Sequence, residues 1–147
     1  MKLSFVAASV YLALGIASGL FYREFTKAND AADGVATQLS VVHTHLLVLG
    51  FVVFLIVLVL DRIFAIARGP LFHWFFWTYN AGLLLTTAMM VVHGSLTVLG
   101  EQSSSAIAGI AGMGHILLTI ALALLMTSLG RRIFGLGSRA NTAITAP

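Results

Sequence analysis

The chain has no cysteine. Disulfides, thiolate-bound zinc, cysteine-held iron–sulfur clusters and covalent c-type haem attachment are therefore excluded, and any haem must be held noncovalently. Charge is almost as scarce, at 9% of the 147 residues, while 59% are hydrophobic. A soluble domain of this size could not hide so much apolar surface, so the composition points to a polytopic membrane protein. The small excess of eight basic over five acidic residues reads as membrane orientation. The aromatic–basic interleaving of a nucleic-acid surface is missing, and no nucleic-acid partner is expected.

Crossing a bilayer takes about 20 largely apolar residues in an α-helix. Four windows qualify: Leu3 to Tyr22, Leu39 to Leu60, Phe72 to Leu99 and Ser105 to Leu129. The expected fold is all-α, with a four-helix transmembrane domain over residues 1–129. Residues 130–147, carrying Arg131, Arg132 and Arg139, are expected to form an exposed, partly disordered basic tail. The first window is longer than a signal-peptide core and lacks a small-residue cleavage site before Phe21-Tyr22-Arg23, so it reads as a retained helix. One side of the membrane receives Lys2, Arg62, Arg68, Arg131, Arg132 and Arg139. The other receives only Arg23 and Lys27, beside Glu24, Asp30, Asp33 and Glu101. The positive-inside rule then puts both termini in the cytoplasm. Trp74, Trp77 and Tyr79 fit an inner aromatic belt, and His73 reads as an interfacial residue.

Within this apolar frame stand His43, His45, His93 and His115. Ionisable groups at membrane depth are costly and usually face a bundle interior or a cofactor. The expected topology puts all four within roughly 5–15 Å of the outer boundary at 1.5 Å rise per residue. Residues two apart on a helix differ by about 200°, so His43 and His45 cannot chelate one ion from a single face. They serve two environments, such as two cofactors or two neighbouring subunits. His115 follows the small-residue stripe Ala108-x-x-x-Gly112, suited to close helix approach or to a flat macrocycle; His93 follows Met89 and Met90. Other features have plainer readings: Gly15 and Gly19 as a packing face, the methionines as filler, Asn80 as a packing hydrogen bond.

The segment Val42-His43-Thr44-His45-Leu46-Leu47-Val48-Leu49 resembles the His-x-His helix of haem–copper oxidase subunit I. In that family the first histidine ligates the high-spin haem and the second the low-spin haem. Subunit I has twelve helices in three pseudo-symmetric groups of four, and this chain is similar to one group. It also resembles a family of small bacterial four-helix membrane proteins related to subunit I. The resemblance implies the bacterial cytoplasmic membrane and assembly as a homotrimer that rebuilds a twelve-helix ring. His43 of one protomer and His45 of the next would then be the axial ligands of one haem. The alternative is a haem within one protomer, held by two of His45, His93 and His115. Arg23 and Lys27 would pair with haem propionates. No His-Pro-Glu-Val-Tyr segment is present, and no Lys, Glu or Asp lies deep in a helix, so oxygen reduction and proton pumping are not implied.

The expected function is therefore a noncovalent haem b protein of the membrane, acting in electron transfer with a redox partner or in haem-based sensing, and not an enzyme. The first-choice iron ligands are His43 and His45; His93 and His115 are the second choice. The alternatives are a copper or zinc site formed by the same four histidines, and an accessory subunit whose histidines join helices.

Overall fold

In an apolar medium each window has one way to satisfy its backbone within a single segment, the α-helix. A computed structural model, which describes residues 1–31 and 36–144 and the side chains as far as residue 135, contains four long helices and, among the described residues, no strand. Helix α1 spans Lys2–Ala28, α2 Leu39–Phe64, α3 Pro70–Val98 and α4 Ser105–Ile144. All four are long and apolar enough to cross a membrane. Asp33, residues 145–147 and the side chain of Arg139 lie outside the described part.

The helix ends depart from the expected windows where apolarity and helicity part company. Beyond Tyr22, α1 continues through Arg23, Glu24 and Lys27, all good helix formers. The basic segment after Gly130 is helix to Ile144 and not an irregular tail; it contains no proline before Pro147 to stop it. Between α2 and α3, Ala65 turns the chain in the left-handed region, with φ 52°. The Asp61 carboxylate accepts the Ala67 N–H at 2.8 Å and lies 2.9 Å from the Met1 amino group. Pro70 then opens α3 at its first position, where no N–H is needed.

Helix α1 packs on α2, α2 on α3, and α3 most closely on α4, while the last turns of α2 also reach α4. Small residues set the close approaches. A Cβ on Gly82 would come within 2.9 Å of the Gly114 carbonyl oxygen, so these two glycines let α3 and α4 cross nearly backbone to backbone. Gly94 does the same for α3 and the start of α2, facing the Leu39 backbone. Toward the start of α3, before both crossings, lies an aromatic cluster. Phe54 stacks on Tyr11 at 5.8 Å and meets Tyr79 edge-on at 5.5 Å, with Phe75 and Phe76 alongside. In lipid such packing, more than water exclusion, holds helices together.

Helix α2 is not uniform. Leu46–Val52 is a π-helical segment immediately after the two histidines. Its wider turn coincides with two contacts: the Tyr11 ring fills the space at Gly50, and the Tyr79 hydroxyl donates to the Leu49 carbonyl at 2.8 Å. Such segments are commonest at functional sites.

Candidate functional site

The start of α2 is fixed before any histidine appears. The Thr37 hydroxyl donates to the Gly94 carbonyl at 2.8 Å, and the same oxygen accepts the Leu39 N–H at 3.3 Å. Leu39 is fully buried at that crossing. One turn further in, the helix presents His43 and His45 on different sides.

His43 faces α1. Its Cβ would lie 3.7 Å from a Cβ built on Gly19, and Leu47, one turn on, fills the space at Gly15. The expected packing face Gly15/Gly19 is therefore the seat of this histidine. The ring is half-buried, its Nε2 lies 3.4 Å from the Thr44 hydroxyl, and its Nδ1 is buried with no hydrogen-bond partner. A buried, unpaired ring nitrogen is unfavourable and calls for a partner.

His45 is built differently. Its Nδ1 lies 3.0 Å from the Val41 carbonyl oxygen, one turn back. A carbonyl can only accept, so Nδ1 carries the proton and Nε2 keeps a free lone pair. His115 repeats the device, with Nδ1 3.1 Å from the Ala111 carbonyl. It is exposed, one residue off the buried seam Gly114, Leu118, Ala121, Leu125 that α4 turns to α3. Around it the Ala108-x-x-x-Gly112 stripe faces outward: Gly109 and Gly112 have open space where a side chain would be.

His93 shares the helical register of Gly82 and Thr86, the face that α3 turns to α4. It is half-buried, and its ring makes no hydrogen bond among the described residues, although its carbonyl accepts from Thr97. Met90 is buried and Met89 half-buried. At the same end Arg23 and Lys27, one turn apart, line a polar hollow with Thr26, Asp30 and Ala31; Arg23 also lies 3.6 Å from Glu24. His73 stands at the opposite end, exposed, with its ring edge-on to Trp77 at 6.2 Å.

His43, His45, His93 and Arg23 thus lie toward one end and His115 nearer mid-helix beside the Gly82/Gly114 crossing, without being joined into one chelate. Among the described residues no three His, Asp or Glu side chains converge as a metal ion would need. Within one copy the arrangement can offer single imidazoles to a planar cofactor, each from its own helix face. Over residues 1–132 the chain matches the family described as "Protein of unknown function (DUF2871)". It belongs to that family. No curated protein and no solved structure matches it. The matched span includes all four histidines and Arg23.

Sequence reading did not find two features. The Thr37 tie to Gly94 had only the hint of a threonine just before an apolar run. The π segment is met by Tyr11 and Tyr79 from other helices and leaves no local signal. The packing hydrogen bond expected of Asn80 is present, its Oδ1 accepting from the Tyr11 hydroxyl at 2.8 Å.

Proposed function

We propose that this protein is a noncovalent haem b protein of the bacterial cytoplasmic membrane, with both termini in the cytoplasm and the histidine end in the outer leaflet. The observation that carries the reading is His45: its Nδ1–H is held by the Val41 carbonyl, which leaves Nε2 free. That backbone bond fixes the ring tautomer and orientation, as in histidines that ligate metals. His115 is set in the same way on another helix and would supply the second imidazole to the iron. His43, which the resemblance to subunit I would make an iron ligand, is packed against Gly19 and serves better to hold the α1–α2 seam beside His45. Arg23 and Lys27 offer guanidinium and ammonium donors to the propionates.

Haem with two imidazole ligands supplies one-electron exchange without oxygen activation. The protein's own contribution is to orient Nε2 and to keep water away with apolar neighbours. His45 and His115 lie on separate helix faces that are not both buried within one copy, which favours a site shared between protomers and a homotrimeric assembly. That no three ligands converge among the described residues of one copy favours this two-point arrangement over a copper or zinc chelate.

The test is the visible spectrum of purified protein after haem is supplied, oxidised and then reduced. A Soret band with resolved α and β bands on reduction is expected, and it disappears in His45→Ala. His115→Ala leaves a five-coordinate spectrum that accepts carbon monoxide. Absence of a Soret band in the wild type overturns the reading.

A further inference from the structure

The opposite end of the bundle holds a second site of different chemistry. Gly69, Pro70 and Leu71 at the start of α3 face Ser128, Arg131 and Arg132 of α4 across a hollow of about 270 Å³. Three independent features make it attractive to an anion. The first is the uncapped N-terminus of α3: Gly69 brings no side chain, Pro70 has no N–H, and the Leu71 N–H has no backbone acceptor among the described residues. The positive end of the helix dipole is therefore uncompensated.

The second is like charge driven together. Arg132 Nη2 lies within 3.8 Å of the Cβ position of Gly69, against the positive helix end. No acid lines the hollow, and neither Arg131 nor Arg132 makes an ion pair among the described residues. The third is Ser128. It is only 6% exposed, lines the hollow, and its hydroxyl makes no hydrogen bond among the described residues. A helix terminus, two guanidinium groups and the unpaired hydroxyl of a largely buried serine share one unmet need, a tetrahedral oxyanion.

We propose that this hollow binds a phosphate group, held by Arg131 and Arg132, the Ser128 hydroxyl and the start of α3. The chemistry is that of an anionic phospholipid headgroup or of free phosphate. Arginine suits it because its planar fork pairs with phosphate oxygens in a bidentate manner. The site lies away from His43, His45, His93 and His115 and stands or falls independently of haem.

Native mass spectrometry of the whole protein from mixed phosphatidylglycerol and phosphatidylcholine tests the proposal, alongside thermal unfolding with millimolar inorganic phosphate. Wild type is expected to retain phosphatidylglycerol selectively, with retention falling about fivefold for each arginine changed to glutamine, the weight of one basic residue near an anionic surface. Ser128→Ala weakens retention at unchanged charge, and so keeps the test valid if Arg131→Gln/Arg132→Gln does not fold. Arg62→Gln, an equal loss of charge at the same end but outside the hollow, lowers retention less than either arginine of the hollow; an equal fall would reduce the effect to general surface charge and overturn the proposal. Stabilisation by inorganic phosphate, lost in Ser128→Ala, without lipid retention supports the phosphate site and names free phosphate as its occupant. Equal lipid retention by wild type, Ser128→Ala and the arginine variants, with no phosphate stabilisation, overturns it.

Discussion

The Asp61 turn and the histidine end treat polar groups in opposite ways. Around the α2–α3 turn, the Asp61 carboxylate has a partner on each oxygen, and the Phe54 cluster fills the adjoining interior with rings. At the histidine end, imidazoles keep free nitrogens, and contacts are made through glycine: Gly19 under His43, Gly94 under Leu39, Gly109 and Gly112 open. Buried polar groups are normally satisfied, and those left free mark where a protein binds something. Aromatic packing is concentrated at one end and imidazole ligating capacity at the other, while the Ser128/Arg131/Arg132 hollow is the packed end's own unpaired polar group.

Two substitutions separate these roles. The largest effect expected is all or none: His45→Ala abolishes the Soret band while unfolding in detergent changes by no more than about 1 kcal/mol, since the half-buried ring hydrogen-bonds to its own helix. A large destabilisation without cofactor loss would mean that His45 is a packing residue. Phe54→Ala should do the reverse. Phe54 is fully buried and touches Tyr11, Phe75, Phe76 and Tyr79, so its loss costs about 3–5 kcal/mol. Below its lowered melting temperature the variant still binds haem at wild-type stoichiometry. Haem titration and unfolding curves on the same samples decide both cases.

Gly94→Ala comes next in size, because it strikes where the ends are linked. The added methyl would meet the Leu39 backbone, which no side-chain rotation can move aside. Forcing α2 from α3 costs about 1–3 kcal/mol and displaces the helix start that Thr37 anchors to the Gly94 carbonyl. Stability and haem affinity are expected to fall together. A fall in stability alone would show that ligation does not depend on how α2 is seated.

How far the sequence disclosed this organisation depends on the range of the interactions involved. The four helices are written as apolar windows, and the starts of α2 and α4, at Leu39 and Ser105, coincide with them. The ends of α1 and α4 do not, because Arg, Glu and Lys extend a helix after the apolar run stops. That His43 and His45 face different ways follows from 3.6 residues per turn. Which of them is tucked inward depends on Gly19, 24 positions earlier, and no local pattern encodes it. The same holds for the π segment, shaped by Tyr11 and Tyr79 from other helices. The Ala108-x-x-x-Gly112 stripe was visible as small residues, but its outward orientation is set by the Gly82/Gly114 crossing on the other side of α4.

The smallest expected effect belongs to His73, and it bears directly on the contrast between the ends. His73 is an imidazole in the same chain, exposed and edge-on to Trp77, yet no backbone carbonyl fixes its tautomer among the described residues. Its ring is not prepared as a ligand, and as a surface residue it contributes little to packing. His73→Ala should leave the Soret band unchanged and shift stability by less than about 0.5 kcal/mol. Spectra and unfolding curves collected beside His45→Ala make the comparison direct. Loss of haem in His73→Ala would move ligation to the α2–α3 end and remove the distinction between a packed end and a binding end; an unaltered spectrum shows that what matters is an imidazole held by its own helix, and not merely a histidine in an apolar chain.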